Sequence, residues 1–242
     1  MIRNKSFIVL LGLLSSVAAA EEVEFTDAFP VEDCFFVPYG GSDYFNLNPG
    51  RKTFFSNTQC VAEGECDEQE ELEITVTRKL KKVLIDVGRK RHPVWTRVVE
   101  EVETIDGELA EISQNYFATC LPSRDVYYFG EDVDIYEDGE VVSHDGAWLA
   151  GRFGARPGMI MPDSGFLLGQ RYFQEVAPGV ALDRAEHVGT NLEISLGAGN
   201  FDRCIEVLET TPLEPGEESM KTYCPGVGLV VDAELEAIAV YR

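Results

Sequence analysis

The chain has 242 residues, 43 of them Asp or Glu against 20 Lys or Arg, for a formal charge of −23. That balance excludes a binder of nucleic-acid phosphates, which needs clustered cationic side chains. A hydrophobic content of 45% with 10% aromatics excludes a disordered chain and suffices for the core of a large domain.

In chain order, the first element is a targeting segment. Arg3 and Lys5 precede an apolar run over 7–14, and Ser15-Ser16-Val17-Ala18-Ala19-Ala20 turns small before Glu21. This is the three-part layout of a secretory signal peptide, with cleavage predicted after Ala20. The apolar run is shorter than the ~20 residues that cross a bilayer, and no later stretch is longer. The sequence therefore predicts a signal peptide over 1–20 and a single periplasmic or secreted domain over 21–242, with no membrane span. Cys34, Cys60, Cys66, Cys120, Cys204 and Cys224 all follow the cut, and an even count in a secreted chain predicts disulfides. The favoured pairing has Cys60–Cys66 closing a local acidic loop, Cys204–Cys224 stapling neighbouring strands and, by elimination, Cys34–Cys120. No CxxC or His-x-Cys spacing offers a structural metal site.

The rest of the chain reads as strands joined by tight turns. Glu73-Ile74-Thr75-Val76-Thr77 alternates and is β-branched, as does Trp95-Thr96-Arg97-Val98-Val99 leading to Val102 and Thr104. Asp106-Gly107, Asp138-Gly139 and Asp145-Gly146 separate strand-like runs and allow the positive φ angles of hairpin turns. Further strands are expected at 125–129, 133–136, 170–176, 192–196, 203–210 and 228–232. The Gly- and Pro-rich stretch 151–169 reads as a long loop or a boundary between two sub-sheets. No long amphipathic helix is present. The prediction is an all-β protein, an antiparallel sandwich or barrel in one disulfide-bonded domain.

Candidate sites are acidic. In the cluster Glu131-Asp132-Val133-Asp134-Ile135-Tyr136-Glu137-Asp138-Gly139-Glu140, Asp132 and Asp134 point the same way on a strand and offer oxygens to Ca²⁺. Asp138 and Asp145 complete a partial calcium-loop template. Tyr136 takes a ligand position and no helices flank the stretch, so an EF-hand is excluded and a solvated hairpin is the plainer reading. Asp132, Asp134, Asp138 and Asp145 are thus candidate Ca²⁺ ligands. Asp132 and Asp134, then Glu131 and Asp145, are the first acids to inspect for a hydrolytic pair.

The island 78–91 holds seven basic residues and one acid, Asp86. Lys79, Lys81, Lys82, Arg89, Lys90 and Arg91 would make a docking hairpin for an acidic partner. The favoured alternative is an edge hairpin whose lysines block aggregation. Asp163-Ser164-Gly165 matches the triplet of aspartic proteases, but it has no second copy and follows Met161-Pro162, so it reads as a turn. His144-Asp145 neighbours point to opposite faces of a strand. No Gly-x-Ser-x-Gly elbow or phosphate-binding loop occurs, and no catalytic residue is assigned.

Gly199-Asn200-Phe201-Asp202-Arg203-Cys204, the stretch Glu209-Thr210-Thr211-Pro212-Leu213-Glu214-Pro215-Gly216, and Tyr223-Cys224-Pro225-Gly226-Val227-Gly228-Leu229-Val230 resemble a pattern in uncharacterised secreted bacterial proteins. Tyr128-Phe129-Gly130-Glu131-Asp132 and Pro157-Gly158-Met159-Ile160-Met161-Pro162 are similar to the middle of the same proteins. The resemblance spans about half of the chain beyond the signal segment. It implies a β-rich extracytoplasmic domain of bacterial origin, and neither activity, cofactor nor catalytic residue. The favoured function is a non-catalytic β-domain binding a small-molecule ligand or protein partner, with Ca²⁺ as a candidate cofactor. The alternatives are a structural or assembly component of the envelope or medium, and a secreted carboxylate-dependent hydrolase. The sequence sets no oligomeric state.

Overall fold

β-branched and aromatic residues recur at alternate positions along most of the chain, and where they do so the backbone is extended. The computed structural model describes residues 24–163 and 166–241; the predicted signal peptide lies outside them. After a 3-10 turn at Val31–Asp33 come β1 (Phe35–Val37), β2 (Lys52–Ser56) and α1 (Thr58–Glu63). A long meander follows: β3 (Glu70–Val87), β4 (Lys90–Ile105), β5 (Glu108–Leu121) and β6 (Val126–Glu137). Shorter strands are β7 (Glu140–Ser143), β8 (Trp148–Leu149), β9 (Arg156–Met161), β10 (Arg171–Phe173) and β11 (Glu175–Val176). The C-terminal part returns to hairpins in β12 (Arg184–Leu196), β13 (Gly199–Thr210), β14 (Glu218–Cys224), β15 (Gly228–Asp232) and β16 (Leu235–Tyr241).

All sixteen strands belong to one antiparallel sheet, in the order β10-β12-β13-β14-β15-β16-β2-β3-β4-β5-β6-β9-β11, with β1 added to β5 and with β7 and β8 added to β6. The all-β, antiparallel, single-domain architecture is as expected, and the sheet is not closed. Its two ends, β10 and β11, are consecutive in the chain and separated only by Gln174. The sheet therefore curls until its ends meet, as the right-handed twist of strands favours, and one face lies inside.

Close approach of backbone explains the break. A Cβ on Gly158 would lie 2.3 Å from the carbonyl carbon and oxygen of Gln174. Only a glycine on β9 lets the chain pass there, and at that point the strand exchanges its partner β12 for β9. The expected strand over 170–176 is therefore split. The stretch 151–169 contains β9, which its Pro157 and Gly158 conceal. The expected strands 125–129 and 133–136 merge into β6 through Gly130, whose φ of 133° and missing Cβ let β8 lie against it.

The turns Asp106-Gly107 and Asp138-Gly139 take positive φ at both residues, as hairpin turns require. Asp145-Gly146 also turns the chain, but the flanking strands β7 and β8 both pair with β6 and not with each other. The three disulfides are Cys34–Cys120, Cys60–Cys66 and Cys204–Cys224, and no cysteine is free. The first ties the residue before β1 to β5. The last crosses β13 and β14 beside the Ile205–Tyr223 pair. Among the described residues no helix is long and apolar enough to cross a membrane.

Two apolar clusters fill the inside. The larger holds a run of aromatic contacts, Phe36–Phe129, Phe45–Phe117, Phe117–Tyr128 and Tyr128–Trp148, with ring centroids 4.6–5.2 Å apart. Such pairs contribute ~0.5–1.5 kcal/mol each beyond the area they bury. The smaller, with Phe55, Leu235 and Ala237, surrounds the Cys204–Cys224 bridge.

Because the sheet ends depend on Gly158, Gly158→Ala is expected to lower the urea midpoint by an amount equivalent to ~1–3 kcal/mol, the usual cost of overpacking. An unchanged midpoint would mean that β9 and Gln174 have room to separate.

Candidate functional site

Strand alternation puts every second residue inside, and on the central strands those residues are acidic. On β4, Val99, Glu101 and Glu103 share one face. Val99 stands opposite Val76 and Asn115, Glu101 opposite Ile74 and Ser113, and Glu103 opposite Leu72 and Glu111. Asn115 in turn faces Glu131 on β6. From the far wall, Lys221 on β14 stands opposite Asp232 on β15, and Glu209 on β13 opposite Ala185 on β12.

Of these, Ile74, Val99, Glu101, Glu131, Glu209 and Lys221 line a cavity of about 250 Å³. Its acids are Glu101, Glu131, Glu175, Asp183, Glu209 and Asp232, and its cations are Arg51 and Lys221. Lys221 Nζ lies 3.3 Å from Glu209 Oε2 and 3.0 Å from Asp232 Oδ2. Gln174 Nε2 donates to Glu209 Oε1 at 2.5 Å. Arg51 donates to the Gly226 carbonyl. Among the described residues, Glu101, Glu131, Glu175 and Asp183 make no ion pair. Glu175 is 4% exposed, and its Oε2 has no hydrogen-bond partner.

The electrostatics follow from burial. Desolvation, reinforced by Asp183 and Glu131 beside it, pushes the Glu175 carboxyl well above the usual carboxylate range. Burial raises Glu131 to about 7 against the Tyr128 hydroxyl, which favours its charged form, while Glu101 and Glu111 add to the rise. Glu101 also reaches about 7, by burial and then by Asp232, Glu111 and Glu209 against the pull of Lys221. Burial works against the charge of Lys221, but Glu209 and Asp232 outweigh it and hold that ammonium well above its ordinary value. Burial and the surrounding carboxylates keep the Tyr128 phenol neutral, a donor to Asn115 Oδ1.

A second compartment of about 220 Å³ shares Glu101 and Asp232 with the first. Its other acids are Glu70, Glu103, Glu111 and Glu234, and no basic residue lines it. Burial raises Glu70, Glu103 and Glu111. Both compartments reach solvent, the first at exposed Asp183 and the second at exposed Glu234.

The acids singled out in the sequence lie elsewhere. Asp132 and Asp134 do share a face of β6, but it is the outer one, along a groove with Ile112, Gln114 and His144. Asp132 accepts from the Tyr116 hydroxyl and pairs with Lys81 at 3.0 Å; these two outweigh the effect of burial and hold its carboxyl below the usual range. Asp134 meets His144 Nδ1 at 2.9 Å. Asp138 sits in the turn after β6, and Asp145 in the exposed turn after β7. Among the described residues no group of three or more His, Cys, Asp or Glu is placed to hold a metal ion, so the structure lends the Ca²⁺ reading no support. Glu131, next to Asp132, turns inward to the cavity.

On the basic hairpin, Lys79 pairs with Glu100 at 2.9 Å, and Arg91 with Asp86 at 3.6 Å. Lys82, Arg89 and Lys90 are exposed without an ion pair among the described residues. Of the Asp163-Ser164-Gly165 triplet, only Asp163 is described; it lies 3.5 Å from Arg124. His187 belongs to the core. Phe166 stacks on its ring at 3.8 Å, Tyr172 Oη lies 2.9 Å from its Nε2, and burial pulls its pKa to about 4. Compared with protein-family models, with curated proteins and with solved structures, the chain matches none.

Glu101, faced by Lys221, Asp232, Glu111 and Glu209, and Glu131, faced by Tyr128, Glu101, Glu111 and Asp183, keep protons at pH values where the unfolded chain has lost them. The folded state then binds more protons than the unfolded state, and stability falls as pH rises. The fall is expected between the ordinary 4.5 and about 7. Urea midpoints of the ligand-free protein across that range test it. The double substitution Glu101→Gln, Glu131→Gln flattens the slope; a slope unchanged in the variant would place the titrating groups elsewhere.

Proposed function

We propose that this protein is a periplasmic or secreted binding module that takes a small organic cation in its interior cavity. The observation that carries the reading is the Glu175 carboxyl, buried with one oxygen unpartnered, in a cavity where Glu101, Glu131 and Asp183 also make no ion pair among the described residues. Burying a polar group without a partner costs free energy. An ammonium or guanidinium ligand supplies the donors and the charge together. The volume equals roughly eight waters at ~30 Å³ each, which is small even for a ligand pocket. Apolar Phe55, Ile74, Val99 and Leu229 in the same wall suit an aliphatic body. Three disulfides fit an oxidising compartment. The basic, apolar and small-residue segments at the N-terminus and the resemblance to secreted bacterial proteins support export.

The hydrolase reading draws on the same residues, because a glutamate near 7 suits a general acid. Such enzymes need two carboxyls whose environments push their pKa values apart. Here Glu101, Glu131 and Glu175 are all pushed upward, which favours binding over acid–base work.

A thermal melt of the purified protein with alkylamines, guanidinium, carboxylates, neutral sugars and Ca²⁺ tests this. Amines and guanidinium are expected to raise the midpoint, and carboxylates and sugars to leave it unchanged. Because a cation displaces protons from Glu101 and Glu131, affinity should rise with pH through about 7. Glu175→Gln should weaken amine binding by about tenfold or more, the worth of a charge-assisted hydrogen bond. A protein indifferent to every amine but stabilised by Ca²⁺, with the effect lost in Asp132→Ala and Asp134→Ala, would move the site to the outer groove of β6.

A further inference from the structure

We infer that the ligand is elongated and carries two or more ammonium groups, a linear aliphatic diamine or polyamine lying through both compartments. This rests on the cation-binding reading of the cavity and adds the shape of the cation. Four observations lead to it.

The two compartments adjoin at Glu101 and Asp232, which stand in the walls of both. Carboxylates then recur at successive levels along the strands. Glu131 stands at the level of Val99 and Asn115, Glu101 one inward step on, and Glu103 with Glu111 one step further. From Glu101 to Glu103 on β4 the step is two residues, ~6.6–6.8 Å, while Glu131 on β6 is offset from Glu101 by two strand spacings as well. A chain of four methylenes between two ammonium groups matches the β4 step, so a diamine can present one nitrogen to Glu101 and the next to Glu103 and Glu111, and a longer polyamine can extend toward Glu131. Ile74 stands opposite Glu101 and Leu72 opposite Glu103, which gives the methylenes an apolar wall.

The charge is also spread out and not convergent. No three of these carboxylates are placed to ligate one metal ion among the described residues, so a compact dication finds no cage. Finally, the protein's own counter-charge is confined to the first compartment. Lys221 is bound to Glu209 and Asp232 there, while the second compartment has no lysine or arginine in its wall. A ligand with one ammonium at Glu101, on the shared wall, would leave Glu103 and Glu111 unmatched; a second nitrogen one step along β4 meets them.

Isothermal titration with butylamine, putrescine, spermidine and Mg²⁺ tests the inference on the intact protein. Putrescine and spermidine are expected to bind about tenfold or more tightly than butylamine, since the second nitrogen adds at least one charge-assisted contact. Both should also bind more tightly than Mg²⁺. In Glu103→Gln, Glu111→Gln the ratio of putrescine to butylamine affinity is expected to fall to near one. Circular dichroism and urea midpoints verify that the variant is folded, and each single substitution should lower the ratio in part.

Butylamine binding as tightly as putrescine, or a ratio unchanged in the folded double variant, overturns this inference and leaves the cation reading standing. Mg²⁺ binding as tightly as putrescine also overturns it, since the site then reads charge and not length. If none of the three amines binds, both readings fall.

Discussion

A carboxylate taken out of water must find a proton, a donor or a cation, and the inside of this sheet buries more carboxylates than cations. Lys221 is the fixed point of that imbalance. Its ammonium joins Glu209 on β13 to Asp232 on β15 across its own strand β14, so three strands of the far wall are cross-linked by charge. Gln174 extends the link through Glu209 to the junction where the sheet ends meet. Removing one member of such a set costs far more than the set contributes, because the remaining charges stay buried without a partner. With Lys221 committed to Glu209 and Asp232, Glu101, Glu131 and Glu175 are left without an ion pair among the described residues.

Sheet geometry places that deficit. The Gln174 N–H still donates to the Asp183 carbonyl at 2.8 Å beside β12, and from the next residue the strand pairs with β9, where Gly158 leaves room for the approach. Glu175 is the first residue after the change, and it is fully enclosed. The same irregularity that leaves the sheet unclosed therefore delivers a carboxylate into the interior. A binding site next to an interrupted ladder is physically reasonable, since strand irregularities re-aim side chains without disturbing the rest of the sheet.

Much of the fold was legible in the sequence and little of the site. The long meander follows from β-branched alternation and from Asp-Gly turns whose two residues take the positive φ they are suited to. The disulfide pairs agree with the favoured pairing, one of the fifteen that six cysteines allow and that the sequence left open. What escaped was β9, because Pro157 and Gly158 carry the composition of a loop while serving a close contact. The site escaped for a different reason. Alternation identifies a face by its apolar residues, and Glu100-Glu101 and Glu131-Asp132 are adjacent acids of which one points each way. In both pairs the inward member is indistinguishable by type from the outward one. The sequence weighted Asp132 and Asp134, which do share a face, but it is the face that Lys81 and the Tyr116 hydroxyl already satisfy.

The contrast between the two faces carries the functional argument. Outside, acids meet lysines and arginines at Lys79–Glu100, Lys81–Asp132 and Arg91–Asp86. These are exposed pairs of the kind worth ~0–1 kcal/mol, local neutralisation that leaves the overall charge of −23 unchanged. That charge draws cations toward the surface, and clefts lined by one sign of charge concentrate the field further. Inside, Lys221 neutralises Glu209 and Asp232, but Glu101, Glu131 and Glu175 make no ion pair among the described residues, although one lysine in place of Ser113 or Leu72 would supply it. A sequence selected for stability alone would replace Glu101 or Glu175 with a neutral residue, since burial raises both above the usual carboxylate range. Under the proposed cation binding, keeping them as acids retains two alternative occupants for the same space, protons when the cavity is empty and a cation when it is filled. The exchange between them makes the affinity depend on pH and makes the cost of the empty state recoverable on binding.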